Sequence, residues 1–222
     1  MNIFDVEIDS LTAKEAMQAA VQYLQSGSIK TIEFVTLDML MNGQDSPKWK
    51  ENTKEIDILL PGEREILEAA QIKDRVLLKD VSNRVFLKMF LRYLKKNRKK
   101  LFLLAASEQE LDALEGAMGE YSHGIIIVGR EILSEDGKSE ENIINDINGA
   151  EIDCVFSVLP SPQQEDFIVR NAALLNARVW LGCGQSLTEA YLEKNASGVR
   201  RFFMKKLFRY QVGKQKKEKL SR

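Results

Sequence analysis

The sequence predicts an α/β fold: a Rossmann-like, largely parallel sheet with helices on both faces, followed by a basic C-terminal helical appendage. Three observations predict it. Short apolar runs alternate with segments of helical periodicity along most of the 222-residue chain, which is the signature of βαβ units. The apolar runs are continuous rather than alternating, as strands covered on both faces are. The end of the chain departs from the rest in charge: residues 194–222 hold eleven Lys and Arg against one acid, a net of +10, while the preceding 193 residues carry 21 basic and 32 acidic groups, a net of −11.

Taken in order, Ile3 to Ile8 reads as a first strand with Asp5, Glu7 and Asp9 on its solvent face. Thr12 and Glu15 form a capping box, and Ala16, Met17, Ala20, Val21 and Leu24 recur at helical spacing until Gly27. Thr31 to Thr36 is a strand, Asp38 to Gly43 a short helix, Ile56 to Leu60 a strand ending at Pro61 and Gly62, and Glu63 to Gln71 a helix. Residues 72–81 fit neither period. Asn83 to Asn97 is a strongly amphipathic helix, and Leu101 to Ala105 a buried strand. A second capping box, Ser107 with Glu110, opens a helix to Met118. Ile125 to Val128 and Ile152 to Val158 are strands on either side of a helix over Glu140–Ile147. Ser161, Pro162 and Gln164 open the next helix, with Pro at its first position. Val179 to Gly182 is the last strand, leading into a turn and a helix to Asn195. Val199 to Val212 projects as a basic amphipathic helix, with Phe203, Met204, Leu207, Phe208 and Tyr210 on one arc and Arg201, Lys205, Lys206 and Arg209 opposite. The division expected is one α/β domain over 1–195 and an appendage over 196–222.

Composition excludes several classes. A chain that is 44% hydrophobic and 29% charged, with 13 Gly and 4 Pro, is neither collagenous nor disordered. Cys154 and Cys183 lie in apolar runs, which suits buried, reduced thiols of an intracellular protein. One histidine, His123, and two cysteines cannot make a zinc site of ordinary spacing. A Ser-His-Asp triad would have to use His123, which reads as a loop residue ahead of a strand. The acidic N-terminus is unlike a signal peptide, and no stretch approaches the roughly 18 apolar residues of a membrane span.

Open parallel sheets bind ligands beyond the carboxyl ends of their strands. That selects Thr36 to Asp38, Pro61 to Glu63, Ala105 to Ser107, Gly129 and Arg130, Leu159 to Gln164, and Gly182 to Ser186. The last is a partial phosphate loop, Gly-Cys-Gly-Gln-Ser. Gln164 and Glu165 offer an amide and a carboxylate suited to a nucleoside. Asp38 and Glu63 are carboxylates at strand ends, where a general base toward a hydroxyl would stand. The basic, aromatic tail suits an anionic membrane or the protein's own site. A body of net charge −11 speaks against nucleic acid.

In order, these pieces resemble the WecG/TagA/CpsF family of bacterial glycosyltransferases over nearly the whole chain. Phe34 to Asp38 sits where that family has Thr-x-Asn, and Ile58 to Pro61 where it has an apolar strand ending in Pro-Asp-Gly. Leu159 to Glu165 resembles Gly-x-Pro-Lys-Gln-Glu, and Gly182 to Ser186 resembles Gly-x-Gly-Gly-Ser-Phe-Asp. The resemblance implies an inverting, metal-independent transfer from a UDP-sugar, of N-acetylmannosamine type or another hexose, to a polyprenyl-diphosphate-linked acceptor. No cofactor beyond the donor is implied. It places Glu63 or Asp38 as base, Thr36 and Arg75 near the sugar, and Gln164, Glu165, Gly182, Gly184 and Ser186 near UDP. Arg200, Arg201 and Arg209 would meet diphosphate or membrane. The implied location is the cytoplasmic face of the plasma membrane, with the exposed aromatic tail pointing to membrane attachment or self-association. Gly62 and Glu63 stand where the family's aspartate is expected, Gln163 replaces its Lys, and Gln185 its second turn glycine. A second reading is therefore a member that binds nucleotide-sugar, or partners an active transferase, without transferring.

Overall fold

A computed structural model describes residues 1–134, 137–184 and 199–220, with side chains of the last helix described from 204 to 215. The first predicted strand is instead a hairpin. β1 (Asn2–Ile3) and β2 (Val6–Glu7) pair antiparallel across Phe4 and Asp5. Both turn residues are left-handed, with φ of 52° and 65°. Two consecutive positive φ values suit a two-residue hairpin turn, usually announced by Asn-Gly. Phe-Asp gives no such signal. Here burial holds the turn: Phe4 is buried and meets Phe208 edge to face, with ring centroids 6.0 Å apart.

The remaining elements follow the βα alternation. α1 (Ala13–Tyr23) has the predicted Thr12–Glu15 capping box. β3 (Lys30–Val35) leads into α2 (Leu37–Gly43), and α3 (Pro47–Lys54) follows. The sequence reading missed α3. Its start signals were present, since Ser46 caps Trp49 and Pro47 opens the helix, but its inward face rests largely on Trp49, too little for a periodic pattern. β4 (Ile58–Pro61) precedes α4 (Arg64–Ala69). The stretch that fitted neither period contains α5 (Arg75–Ser82), capped by Asp74. Then come α6 (Val85–Lys96), β5 (Lys100–Ala105), α7 (Glu108–Tyr121), β6 (Ile126–Ile132), α8 (Glu140–Gly149), β7 (Cys154–Ser157), α9 (Gln163–Asn171), β8 (Val179–Gly182) and α10 (Val199–Leu220). Pro162 precedes α9 rather than occupying its first turn.

Six strands form one sheet in the order β4-β3-β8-β7-β5-β6, every neighbouring pair parallel. Both faces are covered, which is why the strand runs are continuously apolar. On one face Val35, Leu59, Phe102, Val155 and Trp180 pack with Trp49, Ile143 and Phe167 from α3, α8 and α9. On the other, Ile32, Leu60, Leu103, Phe156 and Leu181 pack with Ala16, Phe90 and Leu114 from α1, α6 and α7. Phe86, Phe90 and Phe156 form a stacked run on that side.

The predicted arcs of the tail helix are redrawn. Phe208 and Val212 are buried and Met204 is half-buried against the body. Leu207 and Tyr210, assigned with them by projection, face outward at 48% and 70% exposure beside Lys206 and Arg209. The buried and half-buried positions recur every fourth residue, a narrow ridge rather than a broad arc. The cations next to the ridge pair with α4: Lys205 with Glu65 at 2.5 Å and Arg209 with Glu68 at 3.1 Å. The expected domain limit near residue 195 lies outside the described residues.

Phe208→Ala is expected to destabilise the chain by about 3–5 kcal/mol, because it empties a buried site shared with Phe4. Leu207→Ala, one residue away, should change stability by about 0.5 kcal/mol or less. Equilibrium urea unfolding of both variants checks this; equal effects would show that α10 does not dock through Phe208.

Candidate active site

At the carboxyl edge of β3, β4 and β8 three segments meet. Thr36 caps α2, its Oγ1 accepting the Met39 amide at 3.2 Å. Glu63, just past β4, reaches across so that its Oε1 accepts the Leu37 amide at 3.1 Å. Two donors of the first turn of α2 are thus satisfied by side chains from different strands, and a carboxylate there also complements the helix dipole. Asp38, in the same turn, is half-buried. Gly184 closes the group from β8. Its φ is +59°, and a Cβ there would lie 2.9 Å from the Thr36 methyl, so the position needs glycine on both counts. The structure therefore brings Thr36, Asp38, Glu63 and Gly184 to one edge.

A narrow cleft, with about 50 Å³ of free space, lies beside this edge on the α1/α6 side of the sheet. Its walls are mostly apolar, including Leu11, Phe34, Leu60, Val81 and Phe86. Asp80 and Arg84 are its charged residues. Asp80 accepts the Ala13 amide at 2.9 Å and so caps α1 from α5. Arg84 sits between α5 and α6 in the left-handed region, φ 50° and ψ 44°. Its Nη1 donates to the Tyr121 hydroxyl at 3.2 Å. Cys183 also lines the cleft. Burial pushes its thiol well up, with the Arg84 guanidinium opposing, so it stays an uncharged wall atom. The sequence reading missed Arg84 because it lies at a helix junction with no strand end beside it.

Gln164 and Glu165 are 1% and 0% exposed, so neither side chain meets solvent. Gln164 Nε2 donates to Glu33 Oε1 at 2.6 Å. Glu165 Oε1 accepts from Trp49 Nε1 at 2.7 Å and from the Ser161 hydroxyl at 2.8 Å. The pair knits α9 to β3 and α3. Gly182 is squeezed between Gln164 and Glu33, since a Cβ there would come within 2.6 Å of Gln164 Nε2 and 2.9 Å of Glu33 Cγ. Burial, together with the nearby Glu165 charge, raises the Glu33 carboxyl well above its usual range, against the Gln164 hydrogen bond. Burial likewise raises Glu165, with the Trp49 and Ser161 hydrogen bonds opposing. Glu33 was not singled out from sequence. The available signal was a lone carboxylate inside a strand covered on both faces.

The other predicted positions are scattered. Arg75 is exposed at the start of α5 and does not line the cleft. Arg209 is on α10, paired to Glu68 of α4. Ser186 lies outside the described residues, and so do the side chains of Arg200 and Arg201. His123 sits in the loop between α7 and β6, beside Arg92, Lys95 and Lys96. Residues 1–190 match the model of the glycosyl transferase WecG/TagA/CpsF family. No curated protein matches the chain.

Glu33 keeps its proton in the folded chain above 4.5, the ordinary glutamate value, where the unfolded chain has lost it. Its contribution to stability is complete below that value and is lost as pH rises through the folded value, at up to about 1.4 kcal/mol per pH unit. Glu33→Gln removes this loss and leaves the amide an acceptor. Urea unfolding at pH 5 and pH 8 should show the variant gaining on the wild type toward pH 8; parallel pH curves would contradict a neutral Glu33.

Proposed function

The chain belongs to the WecG/TagA/CpsF family of glycosyltransferases, and on that premise we propose that it moves a sugar, of N-acetylmannosamine type or another hexose, from a UDP-sugar to a polyprenyl-diphosphate-linked acceptor for cell-surface polysaccharide. The transfer inverts the anomeric centre and uses no metal ion. The observation that carries this reading is the gathering of Thr36, Asp38, Glu63 and Gly184 beside an apolar-walled cleft, where open parallel sheets take ligands.

The roles follow from what each group already touches. Glu63 is engaged with the Leu37 amide, which suits holding the first turn of α2 in place. Asp38, half-exposed in that turn, is the carboxylate that takes the proton from the acceptor hydroxyl as it attacks the sugar. Thr36 lies toward the sugar, whereas Arg75, exposed at the start of α5 and outside the cleft, takes no part in this reading. The turn from Gly182 through Gly184 to Ser186 meets UDP, and Gln164 and Glu165 support it from beneath. Charge that develops on the departing diphosphate is met by arginine. The tail brings Arg200, Arg201 and Arg209 to anionic diphosphate or lipid headgroups at the inner membrane face. The outward Leu207 and Tyr210 beside Lys206 and Arg209 support that contact, as apolar side chains flanked by cations do at such surfaces.

Purified protein given UDP-N-acetylmannosamine, UDP-N-acetylglucosamine or UDP-glucose and a lipid-diphosphate-linked sugar should turn over at least one donor. Asp38→Asn should lower kcat/KM by about 10²- to 10⁴-fold, with UDP affinity unchanged. Uridine-specific binding without turnover of any donor would overturn transfer in favour of a member that binds nucleotide-sugar without transferring it.

A further inference from the structure

We propose that the groove between the N-terminal hairpin turn, the end of α2 and the tail helix α10 is a saccharide-binding subsite, contacted through Tyr210, Asp45 and Gln211. This deepens the transferase reading. It rests on that reading for the source of the saccharide, the sugar portion of the acceptor, but not for the chemistry of the groove.

The groove has about 430 Å³ of free space, with Asp5 from the hairpin, Gln44 and Asp45 from the end of α2, and Tyr210 and Gln211 from α10 among its walls. A second hollow of about 310 Å³ shares Asp5, Gln44, Asp45 and Lys50 with it and runs on along α3 to Lys54. Together they form an elongated trough, shaped for linked sugar units rather than for one compact group. Its first part is balanced in charge, with Asp5 and Asp45 against Lys50 and Lys214, and Lys50 reaches Asp5 at 3.4 Å. Balanced charge exerts little pull on a phosphate and favours an uncharged, hydroxyl-rich ligand.

The polar groups of the trough are left over from folding. Gln211 Oε1 is buried without a hydrogen-bond partner, an arrangement that costs free energy until a partner meets it. The exposed Asp45 carboxylate makes no hydrogen bond or ion pair among the described residues. Gln215 Oε1 accepts the Phe4 amide at 3.3 Å, which ties the hairpin turn to α10 and holds the two walls together. Planar amides and carboxylates match neighbouring sugar hydroxyls, each of which both donates and accepts. Tyr210, 70% exposed, adds an aromatic ring against which the C–H side of a sugar packs. α2 (Leu37–Gly43) joins this trough to the carboxyl edge of the sheet, a distance of about 10 Å at the rise of an α-helix. An acceptor of several sugar units spans that distance, so its far end meets the trough while its reacting hydroxyl stands near Asp38.

The test uses the full chain and soluble trisaccharides, so that membrane contact plays no part. Maltotriose, cellotriose, mannotriose and the β1,4-linked trimer of N-acetylglucosamine are titrated and followed by saturation-transfer NMR. The wild type should bind at least one of them. Tyr210→Ala and Asp45→Ala should each weaken that binding by about tenfold or more, the loss of one good contact. Both side chains are exposed, so melting temperatures should not change. Tyr210→Phe keeps the ring and should keep most of the binding. Leu207→Ala, on the same helix but outside the trough, should bind as the wild type does. No binding of any trisaccharide, equal binding by the two alanine variants at 210 and 45, or an equal loss in Leu207→Ala overturns the subsite. Displacement of the saccharide by UDP or inorganic diphosphate also overturns it, since the sugar would then sit at the sheet edge or in an anion site. Failure of sugar transfer with Tyr210-dependent saccharide binding intact would sink the transferase reading alone.

Discussion

A buried hydrogen bond between Gln164 of α9 and Glu33 of β3, 2.6 Å long, is the contact on which the carboxyl edge of the sheet depends. It passes over β8 at Gly182, where no side chain fits, and so fixes how closely α9 lies on β3 and β8. The turn that leaves β8 starts from that point and reaches Thr36 through Gly184. A carboxylate in this position is costly unless it is hydrogen-bonded or neutral. Burial and the neighbouring Glu165 favour its protonated form, and the amide of Gln164 gives it a partner. The network joins β3, α3, α9 and the start of the β8 turn into one unit, on which the exposed groups of the edge are mounted.

The charge asymmetry of the chain is met partly within the molecule. The tail's cations and the body's acids come together at α4, where Glu65 and Glu68 pair with Lys205 and Arg209. Such pairs are half-exposed and individually weak. They orient a helix whose attachment comes from Phe208 and Val212 in the core. The docked helix therefore presents Leu207, Tyr210 and Lys206 outward. α4 starts directly after Glu63, so the tail is tied to the segment that carries one of the site carboxylates.

Much of the edge was legible from residue order. Thr36, Asp38, Glu63 and Gly184 follow strand ends, and in parallel sheets strand ends are where ligand loops stand. Other parts were not legible for definite reasons. Gln164 and Glu165 looked like hydrogen-bonding partners for a nucleoside because polar residues at a helix start are normally exposed; tertiary packing turned both inward. Arg84 stood in a stretch where α5 and α6 meet, and its left-handed backbone has no residue signature when the residue is not Gly, Asn or Asp. The N-terminal hairpin was read as one strand because Phe4, which is none of these, takes a positive φ through burial of its ring against α10.

By itself the sequence determined the fold class, the strands that make the sheet, the capped helix starts of α1 and α7, and the family. These are set by periodicity, by local hydrogen-bonding side chains and by motif order, all of which act within a few residues. The tertiary structure decided which side chains share a space. It brought Glu33 to Gln164 across 131 positions and Phe4 to Gln215 across 211, and it set Arg84 against Tyr121. Such pairings depend on the strand order β4-β3-β8-β7-β5-β6. That order is chosen by the simultaneous burial of both sheet faces, which no local stretch of residues encodes alone.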